Sequence, residues 1–120
     1  MGILVIEASA TEAALVCAAL ALRPEVEVVE SADVRAAAGR LAKRPVALVI
    51  VGTSALAESP DELVKALHGV PVVGVAIGLP AAARQRALAA GVREIHERPA
   101  DWRLYSELID SVVARFIQTR

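Results

Sequence analysis

Short apolar runs alternate five times along the chain with segments of helical period. The runs are ILVI at 3–6, VEVVE at 26–30, VALVIV at 46–51, VPVVGVAI at 70–77 and REIHE at 93–97. Their length and Val/Ile content read as strands. Between them the pattern predicts helices from about Thr11 to Leu22, Ser31 to Lys43, Ser59 to His68-Gly69, Pro80 to Ala90 and Asp101 to Ile117. Thr11 or Ser9 can cap the first helix, Ser31 the second and Asp101 the last. In the second helix Val34, Ala37, Ala38 and Leu41 make the apolar stripe. Ser59-Pro60-Asp61-Glu62 joins a cap, a proline at the first helical position and an acidic first turn. Arg23-Pro24 and Arg44-Pro45 stop helices, because a residue before proline avoids the helical region. Gly91 suits a left-handed closing position.

The run at 46–51 is apolar on both faces, as in a parallel sheet covered on both sides. The run at 26–30 alternates with charge, as a strand nearer a sheet edge does. Short connections between strands and helices imply right-handed crossovers. The expected architecture is α/β: a flavodoxin-like, doubly wound (βα)5 unit with a five-stranded parallel sheet of order 2-1-3-4-5. At 120 residues, with no linker, repeat or low-complexity stretch, the chain reads as one domain, 1–120.

Composition adjusts this picture little. Hydrophobic residues make up 56% and aromatic ones 2%, so the core must come from Val, Leu, Ile and Ala. A net charge of −1 and a pI near 6.1 leave no basic footprint for nucleic acid. A mean hydropathy of +0.53 raises the membrane question. The longest apolar run, Ala13 to Leu22, is well short of the ~20 residues a span requires. Met1-Gly2 leads straight into ILVI, without a signal peptide's basic segment or cleavage site. Ile6 stands where a myristoylation signal needs Ser or Thr. A single cysteine, Cys17, forms no internal disulfide. The expected location is the cytoplasm.

No reactive constellation emerges. Thr53 and Ser54 have no His or Lys placed to activate them and read as turn formers bonding their own backbone. Gly52, Gly74 and Gly78 lack the spacing of a phosphate cradle and read as close backbone approach or loop geometry. His68, at a helix end, and His96, a strand residue beside Glu97, belong to no ligand cluster. Cys17 reads as a packed thiol. RPAD at 98–101 reads as a strand-to-helix joint. No catalytic residue, metal or cofactor is expected, and the chain is not expected to be an enzyme.

The block ALAAGVREIHERPAD (87–101), with ILVIEAS, RPVALVIVG and VPVVGVAI, resembles the receiver (response-regulator, CheY-like) domain over nearly the whole chain. The resemblance implies a Mg²⁺-holding acidic pair at Glu7 and Ala8. It puts the phosphoacceptor aspartate at Val51, or at Gly52 if the loop slips by one. It puts the switch hydroxyl at Ala76, the aromatic switch residue at Ile95 and the lysine at Arg98. Only the charge of Arg98, the following Pro99 and the acid at Glu7 survive. Valine or glycine cannot form an acyl phosphate, and one acid cannot supply a hard-cation site. The chain therefore resembles a degenerate pseudo-receiver.

The function this implies is phosphorylation-independent signalling by protein–protein interaction, in a bacterial-type two-component or derived regulatory system. The expected partner is a kinase, an output domain, another regulator or a second copy of the chain, and the domain could be the N-terminal module of a longer regulator. The first helix is apolar almost all round: Val16, Ala19 and Leu20 can face the sheet, leaving Leu15, Ala18 and Leu22 as candidate interface. The last helix carries Leu104, Leu108 and Val112 in one stripe and Tyr105, Ile109, Val113 and Phe116 in a second, and the latter joins the candidate interface. Arg86, Arg93 and Glu97 mark a mixed-charge face. The alternative reading is a sensor of small anionic ligands, using the emptied crevice around Glu7, Gly52 and Arg98 with Arg98 as anchor.

Overall fold

The computed structural model describes residues 2–43, 45–67 and 69–117. Five strands, β1 (Gly2–Ile6), β2 (Glu27–Ser31), β3 (Leu48–Val51), β4 (Val72–Ala76) and β5 (Glu94–Glu97), form one parallel sheet in the order β2-β1-β3-β4-β5. The six helices are α1 (Ala10–Leu20), α2 (Val34–Lys43), α3 (Thr53–Glu58), α4 (Pro60–Ala66), α5 (Ala81–Ala90) and α6 (Trp102–Phe116). This is the doubly wound sheet expected from the sequence. Among the described residues no helix is long and apolar enough to cross a membrane.

Side-chain alternation along the strands divides the core into two layers. Ile3, Val5, Leu48, Ile50, Val73 and Val75 pack with Val16, Ala19 and Leu20 of α1 and with Tyr105, Ile109, Val112 and Val113 of α6. Leu4, Ile6, Val49, Val51, Val72 and Ala76 face the opposite way, against Ala37, Leu56, Leu63 and Ala87. Both faces of β1 and β3 are buried, which explains why their sequences are apolar without a break.

The helix ends follow local chemistry, with departures from expectation at α1, α2 and α4. Ser9 caps α1, its Oγ accepting the Glu12 N–H at 3.3 Å, but the helix stops at Leu20 and not Leu22. Ser31 is not the cap of α2. It is buried as the last residue of β2, opposite Ile6, and its hydroxyl donates to the Asp33 carbonyl. Asp33 takes over, Oδ1 accepting the Ala36 N–H at 2.8 Å. Ser59 makes no side-chain cap bond, so the start of α4 rests on Pro60 and on Asp61 and Glu62 beside the positive helix end. Asp101 caps α6 and Gly91 closes α5 at φ 119°, both as expected. The expected helix end at His68 lies outside the described residues.

A further departure is α3, where the sequence suggested a loop. Its six residues are too few to show a period. It forms because Leu56, fully buried, drops onto the sheet over Gly74, where a Cβ would stand 2.6 Å from Leu56 Cδ1. Gly74→Val is accordingly expected to overpack this contact and destabilise the fold by about 1–3 kcal/mol. Denaturant unfolding should show the loss as a lower midpoint at unchanged slope.

Candidate functional site

In a doubly wound sheet, ligands collect beyond the carboxyl ends of the strands, where the strand order reverses. Here that point lies between β1 and β3, whose last residues, Ile6 and Val51, are register partners. The next residues along the chain, Glu7 and Gly52, form the crevice.

The two candidates at the end of β3 point in opposite directions. Val51 is 1% exposed, and its side chain is part of the core layer containing Ile6 and Leu56. Gly52 faces the crevice: a Cβ built there would coincide with Oε2 of Glu7. The glycine's missing side chain thus leaves the space that the Glu7 carboxylate occupies. Its other oxygen, Oε1, accepts the Ser9 N–H at 3.1 Å.

The remaining positions named from the sequence do not all converge. Ala8 is exposed, whereas Ala76 and Ile95 are buried in the same core layer as Val51. Arg98 reaches back toward α1. Its Nε lies 2.6 Å from Glu12 Oε1, a contact of charges in which Nε, itself buried, has no aligned hydrogen-bond partner. Its Nη1 donates to the Pro99 carbonyl. The arginine is therefore paired internally.

Burial pushes the Glu7 carboxyl above the ordinary carboxylate range; the Ser9 N–H opposes this and the neighbouring Glu12 charge adds to it. Tyr105 is raised well above the usual phenol range, first by burial and then by Glu12, against the pull of Arg98 and with a further push from Glu7. Two acids and a phenol thus share this end of the sheet with one guanidinium. The crevice lined by Glu7, Glu12, Gly52 and Tyr105 leaves about 10 Å³ for the centre of a water molecule, roughly the minimum that one water needs. Arg98 does not line it. The anionic-ligand reading finds no support here: the crevice is small, its walls are acidic and the proposed anchor is paired with Glu12.

The raised Glu7 pKa has a definite sign. The folded state holds this proton more tightly than the unfolded chain, so the stabilisation is complete below the unfolded value of 4.5 and is lost as pH rises through the folded one. Glu7→Gln, which cannot ionise, should therefore gain on the wild type as pH rises from 4 to 7. Because the carboxyl is partly solvated, the gain should be no more than about 1 kcal/mol. Thermal melts at stepped pH would check it, and parallel curves would refute it.

Of three participants at the rim, Glu12 escaped the sequence reading, while Thr53 and Glu97 were assigned other roles. Glu12 is the only charged residue between Glu7 and Arg23, the one signal that could have singled it out. Thr53 is engaged with a segment distant in the chain. Its Oγ1 accepts the Ile77 N–H at 2.9 Å and so ties the end of β3 to the loop after β4. Glu97 Oε1 holds the next amide, Gly78 N–H, at 2.8 Å. Gly78 takes φ 62°, the left-handed value that glycine tolerates. His96 pairs with Glu94 at 2.7 Å and not with Glu97, and Arg115 contacts the same carboxylate oxygen. Among the described residues no three His, Cys, Asp or Glu side chains are grouped to hold a metal ion.

The candidate interfaces divide by burial. Tyr105, Ile109 and Val113 are 2%, 1% and 1% exposed and belong to the core. Their stripe seats α6 on the sheet beside α1, so they are not available to a partner. Leu15 is half-buried against the same core. Ala18 on α1, Leu22 in the turn after it, and Arg86, Arg93 and Glu97 at the opposite edge are exposed. Trp102 and Leu104 are exposed apolar residues of α6 that the sequence reading did not select for solvent. Arg23, in the turn after α1, and Asp110 of α6 form an ion pair at 2.6 Å. Cys17 is half-buried, and burial together with Glu30 pushes its thiol to about 11, out of the reactive range.

No protein-family model matches the sequence, and no curated protein is detectably similar to it. Solved structures with this fold are numerous. The response regulator RPA3017, from red-light signalling in R. palustris, superposes with a TM-score of 0.79 at 18% identity, over 99% of this chain and 95% of that one. The phosphorylated cyanobacterial phytochrome response regulator RcpA gives 0.78 at 17% identity, over 99% and 95%. The receiver domain of the sensor histidine kinase PA1611 of Pseudomonas aeruginosa PAO1, solved with magnesium in its active-site cleft, gives 0.78 at 15% identity, over 98% of each chain. At these identities the likeness is one of fold, and the fold is that of response-regulator receiver domains.

Proposed function

We propose that this chain is a receiver-like signalling domain that acts without phosphorylation, through contact with another protein in a two-component or derived regulatory system. The observation that carries the reading is the end of β3, where Gly52 faces the crevice and the Glu7 carboxylate lies over it. An acyl phosphate requires a carboxylate at that point, with acids nearby to hold a divalent cation. Gly52 has no nucleophile and Ala8 no ligand. On this reading the missing aspartate corresponds to Gly52 and not Val51, since only position 52 is directed at the crevice.

The loop after β4 supports the same view. Ala76 brings no hydroxyl to follow a phosphoryl group, and the amides of Ile77 and Gly78 are already engaged by Thr53 and Glu97. The partner is a kinase, an output domain, another regulator or a second copy, met on exposed surface such as Ala18 and the following Leu22 or Arg86 and Arg93. The domain would serve as a cytoplasmic module of a longer bacterial regulator, with no catalytic role of its own.

Amide NMR during titration with Mg²⁺ and beryllofluoride tests the proposal. The expected result is an unchanged spectrum at Glu7, Gly52 and Ile77. Saturable shifts at those amides would sink the claim of phosphorylation independence.

A further inference from the structure

We propose that the Glu7 carboxylate is a built-in plug that holds the space above Gly52 against any group from solution. The inference goes beyond the signalling role and would stand if that role failed.

Three observations carry it. The Glu7 carboxylate occupies the position of a residue-52 Cβ, so the carboxylate and a side chain at 52 are mutually exclusive. The plug is anchored at its other oxygen by the Ser9 N–H, at the cap of α1. With the plug in place, the crevice it shares with Glu12 and Tyr105 retains only about 10 Å³ for the centre of a water molecule. The carboxylate sits at the end of a flexible side chain, so it can leave by rotation without any movement of backbone. A group entering the crevice must therefore first displace Glu7 and break its bond to Ser9.

A double-mutant cycle separates a plug from a merely tight neighbour. In the wild-type background, Gly52→Ala should expel Glu7, lower the melting temperature by about 5 °C and move the Ser9 amide proton upfield as its acceptor departs. In the Glu7→Gln background the same substitution should cost as much, because glutamine fills the same volume. In the Glu7→Ala background the space is vacant, so Gly52→Ala should leave the melting temperature unchanged or raise it. An equal loss in all three backgrounds would overturn the proposal, as would a Ser9 amide unmoved by Gly52→Ala in an otherwise wild-type chain. Should Gly52→Ala alone fail to fold, recovery of folding by Glu7→Ala supports the plug and persistent failure refutes it.

Discussion

Gly52→Asp should lower the stability of the domain in metal-free buffer and make that stability depend on divalent cations. The new carboxylate would enter the space now held by Glu7, with Glu12 close by. Like charges within a few ångströms disfavour the ionised forms of all of them. A loss of about 1–3 kcal/mol is expected, or roughly 5–15 °C in a domain of this size. Acids drawn from the end of β1, from α1 and from the end of β3 would then present clustered oxygens to a hard cation. A cation at a hundred times its dissociation constant returns about 2.7 kcal/mol, enough to offset most of the loss. Melting curves of Gly52→Asp with and without millimolar Mg²⁺ or Mn²⁺ would decide it, the wild type serving as the cation-insensitive reference. Val51→Asp is the contrasting control. Its carboxylate would be buried among Ile6, Leu56 and Val49 with no partner, so the loss should be larger and added metal should not recover it. If Val51→Asp responded to metal and Gly52→Asp did not, the direction of the strand end would be the reverse of that described.

Tyr105→Ala should be among the most destabilising single changes in the molecule, at about 3–5 kcal/mol. Tyr105 is 2% exposed and packs in the layer between the sheet, α1 and α6. Trp102, its ring 6.0 Å away, and Phe116, packed against the same layer, are both held on α6 and are not placed to refill the void. Tyr105→Phe keeps the ring and should lose far less. Equilibrium unfolding would show a large fall in midpoint for alanine alone. A near-neutral Tyr105→Ala would place the ring at an interface, as the sequence pattern had suggested, and not in the core.

That contrast marks where sequence reading worked and where it did not. The apolar runs at 3–6 and 46–51 announced buried central strands, because burial on both faces leaves no polar position in the pattern. Asp101 and Gly91 were legible because capping and left-handed closure depend on one residue and its immediate neighbours. The cap at Ser31 was misplaced, since the choice between Ser31 and Asp33 turns on how far β2 stays paired with β1. The apolar excess of α6 was visible, but a helix pattern does not say which of two stripes meets the sheet. Packing beside α1 buried Tyr105, Ile109 and Val113 of one stripe together with Val112 of the other.

What the sequence determined alone is the alternation of strands and helices, hence the parallel doubly wound sheet, together with the absence of an aspartate at the end of β3. These are local or periodic properties, carried by residue type and spacing. Tertiary structure decided which residue at that strand end faces the crevice and what occupies the space. Gly52 and Glu7 are far apart in the chain and meet only because β1 and β3 are neighbours in register, with their ends level. The same holds for Glu12 with Arg98, for Thr53 with Ile77 and for Leu56 over Gly74. Each contact joins segments that the chain order separates and the sheet brings together. Their chemistry was written in the residues, but their encounters were not.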